Sequence, residues 1–144
     1  MKKFLGIMVL GLIFCSNSIS ADAVLTPKKV RTMNKVRLTK LELGMNETEV
    51  FMIMGTKTIS ISIKDQSDTI ENPYKTEVYG TEKDVYKIFY YYTDFMKGDG
   101  LITDDELTPI ILKNNELMGW GRAVWDKIGS AEKFSDLTPS ASNP

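Results

Sequence analysis

The sequence predicts an α+β fold in which two N-terminal helices pack on one face of an antiparallel sheet of about four to five strands. Before Gly55, apolar side chains recur at spacings of three and four residues, which is typical of an amphipathic helix. After Gly55, apolar and polar side chains alternate, which is typical of a half-buried strand. Because the two patterns occupy separate parts of the chain, the helices should cover the sheet rather than alternate with its strands.

The first helix is predicted to begin at Lys28. Val30, Met33 and Leu41 form its apolar side, and lysines and arginines stand between them. Glycine commonly follows the last helical turn because it adopts a left-handed backbone conformation at low cost. Gly44 is therefore predicted to end this helix.

A second, short helix is predicted after a tight turn that includes Met45. Asn46 is a suitable N-cap, and Glu49, three residues later, would complete a capping box. Val50 lies on the apolar side of this helix. Gly55 is predicted to be its C-terminal cap.

Five segments after Gly55 have strand patterns, at residues 59–63, 75–79, 85–93, 107–113 and 116–120. Residues 65–73 are polar and are predicted to form a loop. Segment 85–93 is aromatic and β-branched, so it is predicted to be a central strand buried on both faces. Asn114 and Asn115 suit a two-residue hairpin turn, because asparagine tolerates positive φ.

The N-terminus has the three-part order of a secretory signal peptide: two lysines, an eleven-residue apolar run at residues 4–14, and small polar residues. This run is shorter than the roughly 20 residues that a transmembrane helix requires. We therefore expect an exported protein, either periplasmic or secreted. The expected organisation is a signal peptide at residues 1–20, a linker at 21–27, the α+β domain at 28–128 and a disordered tail at 129–144.

Cys15 leaves a second processing route open. Leu12-Ile13-Phe14-Cys15 resembles a bacterial lipobox, although Phe14 stands where a small residue is usual. Ordinary cleavage would leave a mature chain without cysteine. Lipidation of Cys15 would instead hold the protein at a membrane surface, such as the outer membrane, and only then do we expect membrane association.

Charge and composition exclude several functional classes. The chain has 18 basic and 19 acidic side chains and no histidine. Binding of nucleic acid is not expected, because it requires an excess of basic groups. Without histidine, Ser-His-Asp and Cys-His catalysis and histidine-ligated metal sites are excluded. We therefore expect a protein that is not an enzyme and has no cofactor.

The acidic loop at residues 94–106 is the basis of an alternative function. Asp99, Gly100 and Glu106 have the spacing of positions 5, 6 and 12 of an EF-hand loop. Phe95 and Lys97 would occupy positions 1 and 3, and neither can ligate calcium. The preferred interpretation is a connection between strands with solvated acidic groups. A small-ligand or cation-binding module that uses this loop is the alternative.

Four aromatic side chains are candidates for contact with a partner. Tyr90 and Tyr92 belong to a strand with two apolar faces, of which the two helices would cover only one. Tyr74 follows an Asn-Pro pair in a loop, and Trp120 stands between two glycines at the end of the last strand. Each also has a structural interpretation, in which long side chains and the tail cover the tyrosines and Trp120 anchors the core.

Two stretches resemble known bacterial proteins. Leu41-Glu42-Leu43-Gly44-Met45, followed by Val50 and Gly55, resembles the Leu-x-x-Gly-Met-x-x-x-x-Val-x-x-x-x-Gly signature of the BamE/SmpA-OmlA superfamily. Residues 72–79 (NPYKTEVY) and 99–121 (DGLITDDELTPIILKNNELMGWG) look like an uncharacterised branch of related envelope proteins. The superfamily consists of small bacterial envelope proteins, often lipoproteins, with two helices on an antiparallel sheet.

This resemblance and the signal-peptide pattern together indicate a protein of the bacterial cell envelope. The expected function is non-enzymatic: a small scaffold or assembly accessory that binds a protein partner in the envelope through its sheet and loop surface. Gly44, Met45, Val50, Gly55, Asn114 and Asn115 are expected to have structural roles in turns and helix ends.

Overall fold

The computed structural model describes residues 24–131, which contain three α-helices and six β-strands. The helices are α1 (Pro27–Leu38), α2 (Glu47–Met54) and α3 (Arg122–Ala131). The strands are β1 (Ile59–Ile63), β2 (Gln66–Ile70), β3 (Lys75–Gly80), β4 (Val85–Tyr92), β5 (Leu107–Lys113) and β6 (Glu116–Trp120). The predicted α+β class is confirmed. The predicted signal peptide, Cys15 and residues 132–144 lie outside the described residues.

The strands form two antiparallel sheets. β3, β4, β5 and β6 follow one another as a four-stranded meander, and β1 and β2 form a separate hairpin. Leu25 makes a parallel bridge with Ile61 of this hairpin, and its amide donates to the Ser60 carbonyl at 3.0 Å. Part of the segment that was predicted to be a linker is therefore paired with β1.

Two hydrophobic clusters lie on the two faces of the meander, because side chains alternate along β4. Cluster A contains Tyr86, Ile88, Tyr90 and Tyr92 of β4, together with Val30 of α1, Ile61 and Ile70 of the hairpin and half-buried side chains of α3. Cluster B contains Phe89 and Tyr91 of β4, together with Leu41 and with Val50 and Met54 of α2. The prediction that the strand at residues 85–93 is buried on both faces is thereby confirmed for most of its length.

Helix α2 runs along β4 on the cluster B side. Asn46 caps it, since its side chain accepts from the Glu49 amide and the Glu49 carboxylate accepts from the Asn46 amide. Lys87 donates to Glu47 at 2.6 Å at the start of the helix. At its end, the Tyr91 hydroxyl donates to the Gly55 carbonyl at 3.0 Å.

Helix α1 reaches both clusters instead of lying on one face. Val30 packs in cluster A, whereas Leu38, two turns later, packs against cluster B. Between them, Asn34 donates to the Tyr92 carbonyl at the end of β4 at 2.9 Å. The predicted arrangement of both helices on a single face is thus only partly matched. The physical reason is that both faces of the meander are apolar, so both have to be covered.

The predicted bounds of the first helix differ from those of α1. The helix begins at Pro27, where the Thr26 side chain accepts from the Lys29 amide, and not at Lys28. It ends at Leu38 instead of continuing to Gly44. Leu41 is buried even so, because it packs in cluster B from the connection between the helices.

Strand β2 replaces part of the polar loop predicted at residues 65–73. Four of its five residues are exposed and only Ile70 is buried, so its sequence has no apolar alternation. Backbone pairing with β1, from Ile59 opposite Ile70 to Ile63 opposite Gln66, holds the strand instead.

Helix α3 was not predicted, and it runs past the predicted end of the domain at residue 128 to Ala131. Its half-buried side chains Val124, Trp125 and Ile128 pack against cluster A. None of the helices within residues 24–131 combines the length and apolar character needed to cross a membrane.

Candidate functional site

One end of the meander brings together several of the sequence candidates. In an antiparallel meander, the start of β3, the end of β4, the start of β5 and the end of β6 all lie at the same end. Tyr74 precedes β3, the acidic loop joins β4 to β5, and Trp120 ends β6. We call this region, residues 72–74, 93–106 and 120–122, the loop end.

The acidic loop is held at its base by the buried side chain of Glu106. One carboxylate oxygen accepts from the Met96 amide at 2.9 Å, and the other accepts from the Thr103 amide at 3.0 Å. The amides of Thr93 and Asp94 both donate to the Glu106 carbonyl at 3.0 Å. The two ends of the loop are thereby joined, and the loop presents a defined surface between them.

Three large apolar side chains of this loop are exposed to solvent. Phe95 is 58% exposed, Met96 62% and Leu101 68%. From the sequence, Phe95 was interpreted only as a residue that cannot ligate calcium, and Met96 and Leu101 were not predicted as candidates. The signal that could have identified them is the presence of four apolar residues, these three and Ile102, inside a loop of otherwise polar residues and glycines.

The predicted calcium ligands are not arranged around a common point. The Glu106 oxygens accept from backbone amides, as described above, and an Asp99 oxygen accepts from the Leu101 amide at 3.0 Å. Asp104 pairs with Lys75 at 2.9 Å. Within residues 24–131, no three acidic, histidine or cysteine residues are grouped so that they could hold a metal ion. The geometry therefore gives no support to the alternative cation-binding module.

Tyr90 and Tyr92, two of the proposed partner contacts, are inside the fold. Tyr90 is 3% exposed and Tyr92 4% exposed. Arg31 of α1 donates to the Tyr92 hydroxyl at 2.7 Å. The face that was expected to remain open is covered by the β1–β2 hairpin, α1 and α3, so neither tyrosine offers a surface to a partner in this conformation.

The hydroxyls of Tyr79 and Tyr90 meet at the carboxylate of Glu77. Tyr90 donates to Glu77 at 2.6 Å, and Tyr79 donates to the same oxygen at 3.2 Å. Lys75 lies 3.3 Å from the other Glu77 oxygen. Burial, together with the negative charge of Glu77, raises the pKa of Tyr79 to about 12 and also raises the pKa of Tyr90 above its ordinary value.

The other two partner candidates remain at the surface to different degrees. Tyr74 is exposed at the start of β3, where its amide donates to the Tyr90 carbonyl at 2.7 Å. Trp120 is half-buried and packs against cluster B. Tyr74 is therefore the more accessible of the two, whereas Trp120 contributes to the core from the edge of the sheet.

The residues expected in turns and helix ends lie as follows. Gly44 and Gly55 have φ values of +87° and +81°, while Asn114 and Asn115 have φ values of +51° and +69° between β5 and β6. Met45 packs against cluster B, in which Val50 is fully buried. An added Cβ at Gly55 would lie 3.2 Å from the Arg37 guanidinium, so this position is restricted by space as well as by φ.

Comparison with known proteins gives a family without an assigned activity. Residues 20–127 match the family described as "Protein of unknown function (DUF3192)". Neither the search of curated proteins nor the search of solved structures returned a significant match. Since the matched segment contains nearly all of the described fold, including the loop end, the chain belongs to the DUF3192 family.

Proposed function

We propose that this chain is a non-enzymatic protein-binding module of the bacterial cell envelope and that the loop end contacts its partner. The observation that carries this proposal is the exposure of Phe95, Met96 and Leu101 on a loop whose base is fixed by Glu106. Tyr74 adds an aromatic side chain at the same end of the sheet.

Exposed apolar side chains grouped on one surface favour a binding role over a purely structural one. Aromatic residues and methionine are enriched where proteins contact one another, and aromatic residues are prominent among those that contribute most to affinity. A loop that is already ordered loses less conformational entropy on binding. The anchoring by Glu106 would therefore increase the affinity that Phe95 and its neighbours provide.

The charges of the loop favour a protein partner over insertion into a bilayer. Asp99 lies between Met96 and Leu101, and its carboxylate is exposed. Moving a carboxylate into hydrocarbon is costly, and an anionic lipid surface would also repel it. A protein surface can receive the apolar side chains while leaving Asp99 in water or pairing it with a basic group.

The envelope location rests on two supports. The first is the signal-peptide order of residues 1–20, and the second is the resemblance of residues 41–55 to the BamE/SmpA-OmlA signature. Mass spectrometry of the N-terminus of the mature protein tests this part directly. A chain that begins near residue 21, or at a lipidated Cys15, is the expected result, and retention of residues 1–20 in the working protein would contradict it.

Site-specific photo-crosslinking tests the binding role. A photo-reactive amino acid replaces Phe95 in the full chain, expressed in cells that naturally produce the protein. We expect a discrete adduct with another protein, because Phe95 would lie within the interface. Leu101→Ser in the same chain should reduce the adduct yield, since it removes a neighbouring apolar contact.

Val85 provides the matched control position. Its side chain is also apolar and exposed, but it lies at the opposite end of β4. A crosslinker at Val85 should give no adduct with that protein. Equal labelling from both positions, labelling of lipid alone, or no protein adduct from Phe95 would each overturn the proposal.

A further inference from the structure

The charges of this chain are unevenly distributed, and the basic region is α1 together with the two residues that follow it. Between Lys28 and Lys40 there are six basic side chains and no acidic one. The whole chain has 18 basic and 19 acidic side chains, so the remainder is clearly acidic. Such a concentration of one sign of charge on one element creates a local positive potential at the surface.

The solvent-facing side of α1 carries cations that are not used within the described fold. Lys28 and Lys29 of α1, and Lys40 just after its end, are exposed, and none has an acidic partner within 4.0 Å among residues 24–131. By contrast, Arg37 points inward and donates to the Met54 carbonyl at 2.7 Å. No acidic side chain on α1 itself offsets the charge of these lysines.

This basic face adjoins the acidic loop and its apolar side chains. The Arg31 guanidinium lies 5.0 Å from the centre of the Phe95 ring. Lys35, one turn later, forms an ion pair with Asp94 at 2.6 Å. A partner that contacts Phe95 would therefore also approach the exposed side of α1.

We infer that the partner presents an acidic protein segment to α1, with apolar groups beside it that receive Phe95 and Met96. This inference rests on the proposed function and specifies the chemistry of the partner. Carboxylates opposite Lys28 and Lys29 would complement their charge, steer the encounter and fix the orientation of the complex. The apolar loop would supply the contacts that exclude water.

An anionic lipid surface fits the same cations less well. Asp94, Asp99, Asp104 and Asp105 are exposed on the loop beside α1. A flat anionic surface that approached α1 would also approach this loop, because Asp94 pairs with Lys35 of α1, and charges interact over roughly 8–10 Å at physiological salt. A protein segment, in contrast, can place its carboxylates opposite the lysines of α1 and keep them away from the acidic loop.

Crosslinking from α1 tests the inference. Thr32 is exposed on the same side of the helix and carries no charge, so a photo-reactive residue there preserves all six cations. We expect adducts from Thr32 to map to the protein captured from Phe95, within a segment in which aspartate and glutamate exceed lysine and arginine. Lys28→Glu/Lys29→Glu should reduce the adduct yield from Phe95 about fivefold, because opposed charges become like charges.

Lys57→Glu/Lys83→Glu is the matched control, since both lysines are exposed, neither belongs to α1 and the net charge changes equally. The control should leave the yield from Phe95 unchanged.

If Phe95 captures a protein but Thr32 labels only lipid, a segment without acidic excess, or nothing, the inference is overturned and the proposed function stands. An equal loss of yield in both double variants would likewise overturn the inference. Absence of any protein adduct from Phe95 would overturn the proposed function and this inference with it.

Discussion

At the scale of single residues, the buried carboxylate of Glu106 and the half-buried carboxylate of Glu77 accept hydrogen bonds that hold parts of the fold together. Glu106 accepts two backbone amides and thereby fixes the acidic loop, and Glu77 accepts the hydroxyls of Tyr79 and Tyr90. Most buried polar groups in folded proteins are hydrogen-bonded, because an unpaired one is costly. These acidic residues are therefore structural partners of specific donors, which makes each of them sensitive to substitution.

Glu106→Gln should destabilise the protein by about 1–3 kcal/mol, because the amide retains one acceptor but presents an N–H group to the second backbone donor. Urea denaturation measures the change. Asp105→Asn, which removes one negative charge from an exposed neighbour, is the control, and its free energy of unfolding should stay within about 0.5 kcal/mol of the wild-type value. Equal unfolding midpoints for the two variants would contradict the anchoring role of Glu106.

Tyr79 and Tyr90 should make stability fall at alkaline pH. Burial first, and then the charge of Glu77, raises the pKa of Tyr79 to about 12 from an unfolded value of 10.0. The folded state therefore keeps this proton more tightly than the unfolded state does. Its contribution is fully present below pH 10 and is lost as pH rises towards 12.

Urea unfolding between pH 8 and pH 11 measures this dependence, and tyrosinate absorbance reports the ionisation itself. Tyr79→Phe/Tyr90→Phe should flatten the decline above about pH 10, because neither ring can then ionise. An unchanged slope in the double variant would show that other groups cause the alkaline loss.

At the scale of elements, the position of α3 depends on the strand before it. Gly119 of β6 has a φ of +156°, and an added Cβ would lie 2.9 Å from Cγ1 of Val124. The helix packs on cluster A through half-buried Val124, Trp125 and Ile128, without a fully buried side chain. A small displacement at Gly119 should therefore shift the whole helix.

Gly119→Ala is expected to destabilise the protein by about 1–3 kcal/mol through overpacking and backbone strain. Thermal unfolding measures the loss, and the fluorescence of Trp125 should shift as α3 moves from its position near Tyr79. Gly80→Ala is the control, because an added Cβ there has no neighbour within 4 Å. If the two variants have the same melting temperature, the close approach of α3 to β6 is not needed for stability.

At the scale of the whole molecule, a buried pair of asparagines joins α1, α2 and the meander. Asn34 of α1 donates to the Asn72 side chain at 3.0 Å and to the Tyr92 carbonyl at 2.9 Å. Asn72 donates in turn to the Met54 carbonyl at the end of α2, at 3.0 Å. The two hydrophobic clusters lie on opposite faces of the sheet, and this polar chain connects the elements that cover them.

The double-mutant cycle of Asn34→Ala and Asn72→Ala tests this connection. Each single change should cost about 1–3 kcal/mol by leaving a buried partner unsatisfied. The double variant should lose about 0.5–3 kcal/mol less free energy of unfolding than the sum of the two single losses, because Asn34 and Asn72 are hydrogen-bonded to each other. Asn34→Ala combined with Thr48→Ala, an exposed position, should be additive. Additivity in both cycles would contradict the proposed link.

Elements whose signal lies in the local sequence could be predicted. The capping box of Asn46 and Glu49, the left-handed positions of Gly44 and Gly55 and the Asn114-Asn115 turn depend only on neighbouring residues. Strand β4 was equally evident, because a continuous aromatic run suits a strand buried on both sides. Strand β2 gave no such signal, since four of its five side chains are exposed and only Ile70 adds core packing to the backbone pairing with β1.

The candidate site was predictable only in part, because exposure at a given position depends on what packs against it. Tyr90 and Tyr92 were correctly placed on a strand, but their cover comes from the hairpin, α1 and α3, which are distant in sequence or were not predicted. Glu106 has the spacing of a calcium ligand, yet its oxygens are occupied by backbone amides. Phe95, Met96 and Leu101 became candidates once their exposure was known.

The sequence by itself determined the α+β class, the absence of histidine chemistry and the basic charge of α1, and it predicts export. These properties follow from composition and short-range periodicity, which are fixed along the chain. Tertiary structure alone decided that both faces of the meander are covered, that the acidic loop is tied to Glu106 and that Phe95 of this loop lies beside Arg31 of α1. Those outcomes depend on contacts between distant segments, and such contacts form only where burial of apolar surface outweighs the loss of chain entropy.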